Sequence, residues 1–544
     1  MVASADEYAS TVGGEVLRDG GNAVDAAVAV AFTLAVTFPE AGNLGGGGFL
    51  VLRAPNDKAT AIDYRETAPQ AANRNVYIGP DGNVIKGDGG SLEGYRACGT
   101  PGTVAGMDFA LARYGSGKMT WARLLEPARK LAADGFKVRP SLARSLEAHK
   151  TLLSRFEDSN RVYLNGGKGV RAGDTLRLPD LAETLRRLQQ RGPREFYEGE
   201  TARRIAADVQ AHNGLLLLGD LNAYSVKERT VLRGAYRGNN LVSMPPPSSG
   251  GVALLQMLGI LEGFDLKSLG PNSPERFHLL LESMRRAFAD RAVWMGDPDF
   301  VRVPVKELLD PAYIAKLRTS IDPKRASRSA DVHAGTFAGY EENPTAPRSE
   351  SPQTTHFSIV DRDGLAISNT YTLNAAFGSG VTAKNTGILI NNEMDDFAAK
   401  PGTPNLFGLI QGERNAVAGR KRPLSSMTPT IVSRPDGSLW FAVGSPGGPT
   451  IINTVLQVIV NVVDSGMDIQ EAVDYTRVHH QWLPDEAAHE PNLPRAVRTE
   501  LEARGQRFAS SARRIGDAQA VLVDANGKRH GASDKRGSGR AVSD

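Results

Sequence analysis

A strong β-hairpin signal directly follows a long polar segment, and this junction constrains the fold more than any other feature of the sequence. Residues 325–353 are rich in Ser, Pro, Glu, Gly and Ala with almost no apolar periodicity, which is typical of an exposed flexible segment. Beyond Thr354, strand-like residues on both sides of a turn at residues 361–364 predict a hairpin from His356 to Thr372. The chain is therefore expected to enter a sheet at Thr354.

The register of this hairpin predicts which side chains lie near Thr354. If Val360 pairs with Leu365, Thr354 lies opposite Tyr371 and beside Thr372, give or take one residue for a bulge. The hydroxyl of Thr372 could then reach Thr354. By composition alone, however, Thr354 is an ordinary strand residue with good β propensity.

Other segments predict a mixture of helices and strands. Helical periodicity runs from about Glu7 to Leu34, broken at Gly20-Gly21, and it dominates residues 103–210. Phe49–Leu52 and Ala59–Tyr64 are predicted to be neighbouring strands. Further strand-like runs occur at residues 387–390, 429–432 and 439–443. The 544 residues exceed what one core usually organises, so one two-layer or four-layer body and two separate domains both remain open.

The composition is that of an ordinary soluble globular protein, with 41% hydrophobic and 23% charged residues. The formal net charge of +3 is spread without a basic stripe, which argues against a nucleic-acid partner. The apolar run Ala26–Phe38 is too short to span a bilayer, so it predicts a buried helix and no transmembrane segment. Cys98 is the only cysteine, which excludes an internal disulfide and a multi-thiolate metal site.

The first residues of the chain, Met1–Asp6, do not have the pattern of a signal peptide. This predicts either a cytoplasmic protein or one whose leader has been removed.

Several other motifs predict neither a cofactor nor a metal. Gly45–Gly48 lacks the third spaced glycine of a dinucleotide fingerprint, and residues 115–119 lack the leading glycine and the Ser/Thr of a phosphate-binding loop. A proline follows Ser445, which does not fit a nucleophile elbow. His479 and His480 would point to opposite sides of a strand, so we interpret them as part of a packed corner rather than as metal ligands.

Several stretches of the sequence resemble the γ-glutamyltransferases, which are also called γ-glutamyltranspeptidases or glutathione hydrolases. In chain order these stretches are NAVDAAVAVAFTLAVTFPEAGNLGGGGFLV, DYRETAP, CGTPGTVAGM, TTHFSIVDRDG, TYTLNAAFGSG, NNEMDDFAAKPG, KRPLSSMTPT, GSPGG and HHQWLPDE. Their order and spacing are similar to those of the family. The likeness extends from about Val2 to GASDKRGSG near the C-terminus.

This resemblance implies a fold and a maturation step. Members of the family are N-terminal-nucleophile hydrolases, so the implied fold is of the α+β class, a four-layer αββα sandwich. The resemblance also implies that the precursor cuts itself between Gln353 and Thr354, giving a large subunit of residues 1–353 and a small catalytic subunit of residues 354–544. The polar segment before Thr354 fits this step, because a flexible tail can leave the site once the bond breaks.

The resemblance also implies the catalytic residues. The Thr354 hydroxyl would attack the Gln353 carbonyl to form an ester, which water opens. The freed α-amine has a reference pKa of about 7.7–8.0 and can activate the hydroxyl, so no histidine is required. Thr372 matches a second threonine that orients the nucleophile, and Gly447 and Gly448 match an oxyanion hole.

The implied substrate pocket holds both ends of a zwitterionic γ-glutamyl donor. Arg65 offers a bidentate partner for the α-carboxylate. The other matching residues are the donors Ser425 and Ser426 for that carboxylate, and the acceptors Asn374, Glu393 and Asp396 for the α-amino group. Asn374 is expected to face the same side as Thr372.

One position departs from the family pattern. Residues 401–409 match a lid over the donor pocket, and Phe407 stands where bacterial members of the family carry a tyrosine. Phenylalanine can cover the pocket but cannot donate a hydrogen bond to Asn374. Lid closure, and with it the balance between transfer and hydrolysis, is therefore open.

The sequence thus predicts a self-processing γ-glutamyltransferase and glutathione hydrolase. It would pass a γ-glutamyl group from Thr354 to water, amino acids or peptides, with no cofactor and no metal. Two alternatives are an acylase of the same fold that acts on glutaryl-cephalosporin-like side chains, and an uncleaved binding scaffold. The resemblance also implies a periplasmic or extracellular location.

Overall fold

Helices and strands alternate along the chain, and the computed structural model describes residues 1–340, 354–400 and 412–544. The helices are α1 Glu7–Arg18, α2 Ala23–Thr37, α3 Thr103–Tyr114, α4 Trp121–Asp134, α5 Pro140–Ala148, α6 Lys150–Leu153, α7 Glu157–Tyr163, α8 Pro179–Arg191, α9 Arg194–Tyr197, α10 Glu200–Ala211, α11 Leu218–Ala223, α12 Gly250–Leu261, α13 Leu266–Leu269, α14 Pro274–Trp294, α15 Val305–Leu308, α16 Pro311–Thr319, α17 Thr450–Val463, α18 Ile469–Asp474 and α19 Arg495–Ala503. Short 3-10 helices occupy Tyr95–Ala97, Ser329–Asp331, Glu393–Asp396 and Glu413–Asn415.

The strands are β1 Val2–Ser4, β2 Gly47–Arg53, β3 Ala59–Tyr64, β4 Phe136–Lys137, β5 Thr175–Leu176, β6 Lys227–Arg229, β7 Leu232–Tyr236, β8 Asn239–Ser243, β9 Thr355–Val360, β10 Ala366–Thr372, β11 Thr382–Ala383, β12 Ile388–Leu389, β13 Thr430–Ser433, β14 Leu439–Gly444, β15 Val478–His479, β16 Ala488–His489, β17 Gln519–Val523, β18 Arg529–Ser533 and β19 Arg540–Val542. The strands predicted near residues 49–52, 59–64, 429–432 and 439–443 are confirmed as β2, β3, β13 and β14. The strand predicted at residues 387–390 is shorter and is limited to β12.

Two antiparallel sheets pack face to face. The first sheet has the strand order β19-β1-β9-β10-β2-β3-β6, and the second has the order β18-β17-β14-β13-β8-β7. Apolar side chains from both sheets fill the space between them, among them Phe49, Val51, Ile431 and Val521. The two faces therefore share one internal core.

Helices cover the outer faces of both sheets. Every residue of α2 is buried, because this helix lies between the first sheet and the helices α1 and α4. Its N-terminus is closed by a capping box of Asn22 and Asp25. On the other side, α12 and α17 contact the second sheet, and α14 packs against α12. The order of helix, sheet, sheet and helix confirms the predicted αββα sandwich and its α+β class.

The hairpin predicted after Thr354 is confirmed as β9 and β10, but its register differs by one residue. Val360 pairs with Ala366 instead of Leu365, so Tyr371 lies opposite Thr355 and not opposite Thr354. The cause is the turn, where Leu365 exchanges hydrogen bonds with Asp361 and only residues 362–364 form the loop.

The polar segment is less exposed than predicted in its first half, residues 325–340. Phe337 is buried and packs against the rings of Trp294 and Tyr313, with ring centroids 5.4 and 5.1 Å apart. Isolated apolar residues of this kind produce no periodicity that a sequence pattern could reveal. Residues 341–353, with the predicted cleavage position Gln353, lie outside the described residues.

None of the helices in the described ranges combines the length and the apolarity needed to cross a lipid bilayer.

Candidate active site

Thr354, Thr372, Gly47 and Arg65 lie in one row across four neighbouring strands of the first sheet. Strand pairing places Thr372 opposite Gly47. The registers of the flanking pairs, continued by one residue, place Thr354 and Arg65 at the two ends of the row. Neighbouring strands are about 4.8 Å apart, so the Cα atoms of Thr354 and Arg65 are roughly 14 Å apart. The row joins the predicted nucleophile to the predicted carboxylate-binding residue.

The side chain of Thr354 points into the space between the two sheets. Side chains alternate along a strand, so Thr354 shares a face with His356 and Ser358. The Ser358 hydroxyl donates to the backbone carbonyl of Gln519 in the second sheet at 3.1 Å. At the same end, a Cβ atom on Gly444 would lie 2.3 Å from the His356 ring. Glycine at this position allows the loop after β14 to approach Thr354.

His356 is a structural residue two positions from Thr354, the predicted nucleophile. One ring nitrogen lies 2.8 Å from the Thr370 hydroxyl and the other lies 3.0 Å from the Ser358 hydroxyl. Burial lowers the pKa of His356 to about 3, so the ring is neutral at physiological pH. With both nitrogens engaged, His356 is not placed as a base for Thr354.

Thr372 is held by the turn that follows its strand. The backbone N–H of Asn374 donates to Thr372 Oγ1 at 2.8 Å, and Asn43 Nδ2 donates to the Thr372 carbonyl at 2.8 Å. Asn374 was expected to continue the strand and face the same side as Thr372. It has instead a positive φ of 75°, and its side chain donates to the Asn392 carbonyl at 2.9 Å. The strand therefore ends at Thr372, and period-two alternation does not apply to Asn374.

Gly447 and Gly448 form the tight connection between β14 and α17. Their φ angles are 132° and 57°, and a Cβ atom on Gly447 would lie 2.2 Å from Thr450 Oγ1. That hydroxyl donates to the Gly447 carbonyl at 2.7 Å. Among the described residues, the structure shows no acceptor for the N–H of Gly447 or Gly448. Both N–H groups precede a helix N-terminus, which favours negative charge.

The Arg65 guanidinium is fully buried and faces several carboxyl groups. It forms short ion pairs with Glu393 and Asp396, and it lies 3.6 Å from Glu66. Its Nε and Nη2 atoms also donate to the carbonyls of Pro423 and Leu424, each at 3.3 Å. Arg65 was predicted to bind the α-carboxylate of the donor, and Glu393 and Asp396 were predicted to bind its α-amino group. The structure places these three side chains in one cluster, which also contains Glu66.

One guanidinium and three carboxyl groups give this cluster an excess of negative charge when all of them are ionised. Burial raises the pKa of Glu66 to about 7, and burial raises the pKa of Glu393 well above its usual range. The protein therefore retains protons in the cluster near neutral pH. A positively charged group beside these carboxyl groups would lower their pKa values, because it stabilises the ionised form.

Ser425 and Ser426 lie directly after the carbonyls that contact Arg65. The Ser425 hydroxyl accepts from the Met427 N–H at 3.1 Å. The Ser426 hydroxyl accepts from Arg291 of α14 at 2.8 Å. Sequence reasoning missed Arg291, whose helix gives no local signal, and Glu66, whose only signal was its place next to Arg65 in DYRETAP.

The histidine pair lies away from this row, in the corner between α14, α17 and β15. His479 contacts Asn453 and Gln481, and His480 contacts Arg285 at 2.9 Å. Phe407, the predicted lid residue, belongs to residues 401–411, which lie outside the described residues.

The whole chain is similar to known enzymes. It matches the gamma-glutamyltranspeptidase family over residues 9–543. A glutathione hydrolase proenzyme of Escherichia coli (strain K12) is 47% identical over 537 residues, which cover 98% of this chain and 90% of the relative.

Two solved structures share the fold. A gamma-glutamyltranspeptidase from Helicobacter pylori is 40% identical, with a TM-score of 0.60, and covers 62% of this chain and 95% of its own. A cephalosporin acylase from Bacillus halodurans is 25% identical, with a TM-score of 0.86, and covers 100% of this chain and 95% of its own.

The Bacillus halodurans acylase has the higher TM-score, but an acylase proenzyme of Pseudomonas sp. (strain SE83) is 36% identical over 100% of this chain and 93% of its own, compared with 47% for the glutathione hydrolase. The alternatives of an acylase and of a binding scaffold are accordingly less supported. The chain belongs to the γ-glutamyltranspeptidase family and is a γ-glutamyl-transferring and hydrolysing enzyme, as its sequence predicted.

Proposed function

We propose that this protein is a self-processing glutathione hydrolase and γ-glutamyltransferase, in which Thr354 is the nucleophile and the cluster around Arg65 binds the γ-glutamyl group. The observation that carries the proposal is the row from Thr354 through Thr372 and Gly47 to Arg65. All four residues face the space between the sheets, because directly opposed residues of antiparallel strands share a face.

The length of this row suits a γ-glutamyl group. The Cα atoms of Thr354 and Arg65 are roughly 14 Å apart, and both side chains leave the sheet on the same face. The γ-carbonyl and α-carboxylate carbons of a glutamyl group are about 5 Å apart, and contacts of about 3 Å at each end bring the required span to roughly 11 Å, which is within this separation. A donor attacked by Thr354 can therefore reach Arg65.

The charge of the pocket favours a donor with an α-amino group over a glutaryl group. A glutaryl side chain adds a second anion to a cluster that already has more carboxyl groups than guanidinium groups. A γ-glutamyl donor adds a carboxylate for Arg65 and an ammonium group for Glu393 and Asp396, so its charges are matched. Ser425, Ser426 and Asn374 complete the pocket.

The proposed chemistry uses one nucleophile twice. In the precursor, Thr354 Oγ1 attacks the Gln353 carbonyl, and water hydrolyses the resulting ester to give residues 1–353 and residues 354–544. The new α-amine of Thr354 then takes the hydroxyl proton as Oγ1 attacks the γ-carbonyl of the donor, and it returns that proton to the leaving amine. The N–H groups of Gly447 and Gly448 stabilise the oxyanion, and water or an acceptor amine resolves the acyl-enzyme.

The proposal also covers the association of the two subunits, the substrates and the cellular location. The two parts of the chain remain associated, the donors are of the glutathione class, and the acceptors are amino acids, peptides or water. We also propose a periplasmic or extracellular location, which rests on the family alone.

The test combines mass spectrometry of the purified protein with release of the chromogenic amine from γ-glutamyl-p-nitroanilide. We expect two chains and amine release, whereas Thr354→Ala should remain one chain of 58.2 kDa without activity. Thr354→Ser should be cut slowly and retain weak activity. Thr355→Val is a matched control, because Thr355 faces the helices. Normal cleavage of Thr354→Ala would place the nucleophile elsewhere.

A further inference from the structure

The side of Thr354 that faces away from Arg65 has its own charged residues. In the first sheet, β9 lies between β10 and β1, and β1 pairs with β19. Ser4, the last residue of β1, lies opposite Phe357 and Arg540. The chain just before β19 therefore lies near Thr354, on the side opposite to Thr372.

The segment just before β19 is linked to Arg514 through Asp517. A Cβ atom on Gly537 would lie 2.2 Å from the Asp517 carboxylate, and Arg514 forms a short ion pair with Asp517. The Arg514 Nε atom also donates to the Gly516 carbonyl at 3.3 Å. These contacts fix the guanidinium although its side chain is 51% exposed.

The loop that carries Arg514 also contacts the loop of the candidate oxyanion hole. A Cβ atom on Gly447 would lie 3.5 Å from the Cα atom of Gly516. The N–H of Asp517 donates to the Ser445 hydroxyl at 2.9 Å. The loop that carries Arg514 thus packs directly against the loop that carries Gly447.

The segment before β19 also contacts α5, whose Ser141 hydroxyl donates to the Ser538 hydroxyl at 3.0 Å. Burial raises the pKa of Glu40, and hydrogen bonding by Ser145 together with the charges of His149 and Arg514 acts in the other direction. Arg514 is therefore within electrostatic range of Glu40. Its Nη1 atom makes no hydrogen bond to another residue in the described parts of the chain, so it can donate to a ligand.

We propose that Arg514 binds the carboxylate of the leaving group and of the acceptor, and that it thereby selects amino acids and dipeptides with a free C-terminal carboxylate. When the γ-glutamyl group extends from Thr354 toward Arg65, the departing amine must lie on the other side of Thr354, where Arg514 stands. An acceptor enters along the path that the leaving group vacates. This inference rests on the proposed function.

The experiment compares two acceptors, glycylglycine and glycylglycine amide, which differ in the terminal carboxylate. The donor is γ-glutamyl-p-nitroanilide, and the measured quantity is the ratio of kcat/KM for the two acceptors within each protein. We expect the unmodified protein to prefer glycylglycine by about tenfold, the effect of one charge-assisted hydrogen bond at a half-exposed site. Arg514→Gln should abolish this preference, and Arg514→Lys should retain part of it.

Both kcat/KM values of a ratio are measured with the same protein. A change in folding yield or in basal rate affects both values equally and therefore cancels in the ratio. The matched control is Arg507→Gln, because Arg507 is a neighbouring surface arginine that pairs with Asp485; it should keep the full preference. An Arg514→Gln protein that still prefers the carboxylate, or an unmodified protein with no preference, would overturn the inference. Absence of anilide cleavage by the unmodified protein would instead contradict the proposed function.

Discussion

The backbone N–H of Asn374 donates to the hydroxyl oxygen of Thr372 at 2.8 Å. The oxygen acts as acceptor in this bond, so the hydroxyl proton is directed away from Asn374. In the row across the sheet, the neighbours of Thr372 are Gly47 and Thr354, and only Thr354 carries a side chain that can accept a hydrogen bond. The turn after β10 thus holds the group that we expect to hydrogen-bond the proposed nucleophile.

Thr372→Val should therefore slow acylation, and because it also removes the acceptor of the Asn374 N–H, it should lower the stability by about 1–3 kcal/mol without changing the fold. Valine keeps the shape and removes the hydroxyl, and the loss of one neutral hydrogen bond corresponds to a decrease in kcat of up to about tenfold. Thr372→Ser retains the hydroxyl and serves as the control. Pre-steady-state release of p-nitroaniline measures the step, and an unchanged rate in Thr372→Val would show that Thr372 does not orient Thr354.

Arg65→Lys should weaken donor binding far more than self-cleavage, since no donor carboxylate is present during maturation. Lysine keeps the charge but loses the bidentate geometry, so we expect KM for the donor to rise roughly tenfold to a hundredfold. Arg65→Ala is less informative, because two buried carboxyl groups without a cation cost about 3–5 kcal/mol of stability.

The control for this experiment is Arg113→Lys, which changes an exposed arginine that pairs with Glu228. Processing is followed on a denaturing gel and donor affinity by initial rates. If fully processed Arg65→Lys had normal donor affinity, Arg65 would not be the carboxylate partner.

The pKa of Glu66, which burial raises to about 7, predicts a pH dependence of ligand binding. Below pH 7 this carboxyl group is neutral and attracts an ammonium group less, and above pH 7 it is ionised. The inhibition constant of L-glutamate should therefore fall as the pH rises toward 7, by up to about tenfold per unit, and then level off.

Glu66→Gln should remove this pH step, because glutamine does not titrate. Competitive inhibition by L-glutamate between pH 5.5 and 8.5, in both proteins, separates binding from the titration of the Thr354 amine. The same pH step in Glu66→Gln would assign it to Glu393 or to another group.

Gly447→Ala should reduce kcat with little change in KM. A Cβ atom at this position collides with Thr450 Oγ1 and strains a φ of 132°, so the N–H moves away from the developing oxyanion. Loss of one such donor typically costs about 10²–10³ in rate. Gly219→Ala is the matched control, because a Cβ atom there meets no other atom within 4 Å. Equal kcat values in the two variants would remove Gly447 from the oxyanion hole.

The sequence predicted most strands because their apolar patterns are local, whereas the sandwich was predicted only from the resemblance to a known family. It could not predict the register of β9 and β10, because Leu365 can belong either to the strand or to the turn, and hydrogen bonds to Asp361 decide this. It also could not predict that Arg65 contacts Glu393 and Asp396, since these residues are distant in the chain and meet only in the folded protein. The lid prediction at Phe407 stays a prediction.

The strand order of the first sheet has a consequence for the proposed cut before Thr354. β9 and β10, which follow Thr354, are inserted between β1 and β2, which precede it, and in the second sheet β13 pairs with β8. Cutting the chain before Thr354 breaks none of these ladders. The two fragments can then part only by global unfolding, so labelled and unlabelled halves mixed in the native state should not exchange with one another.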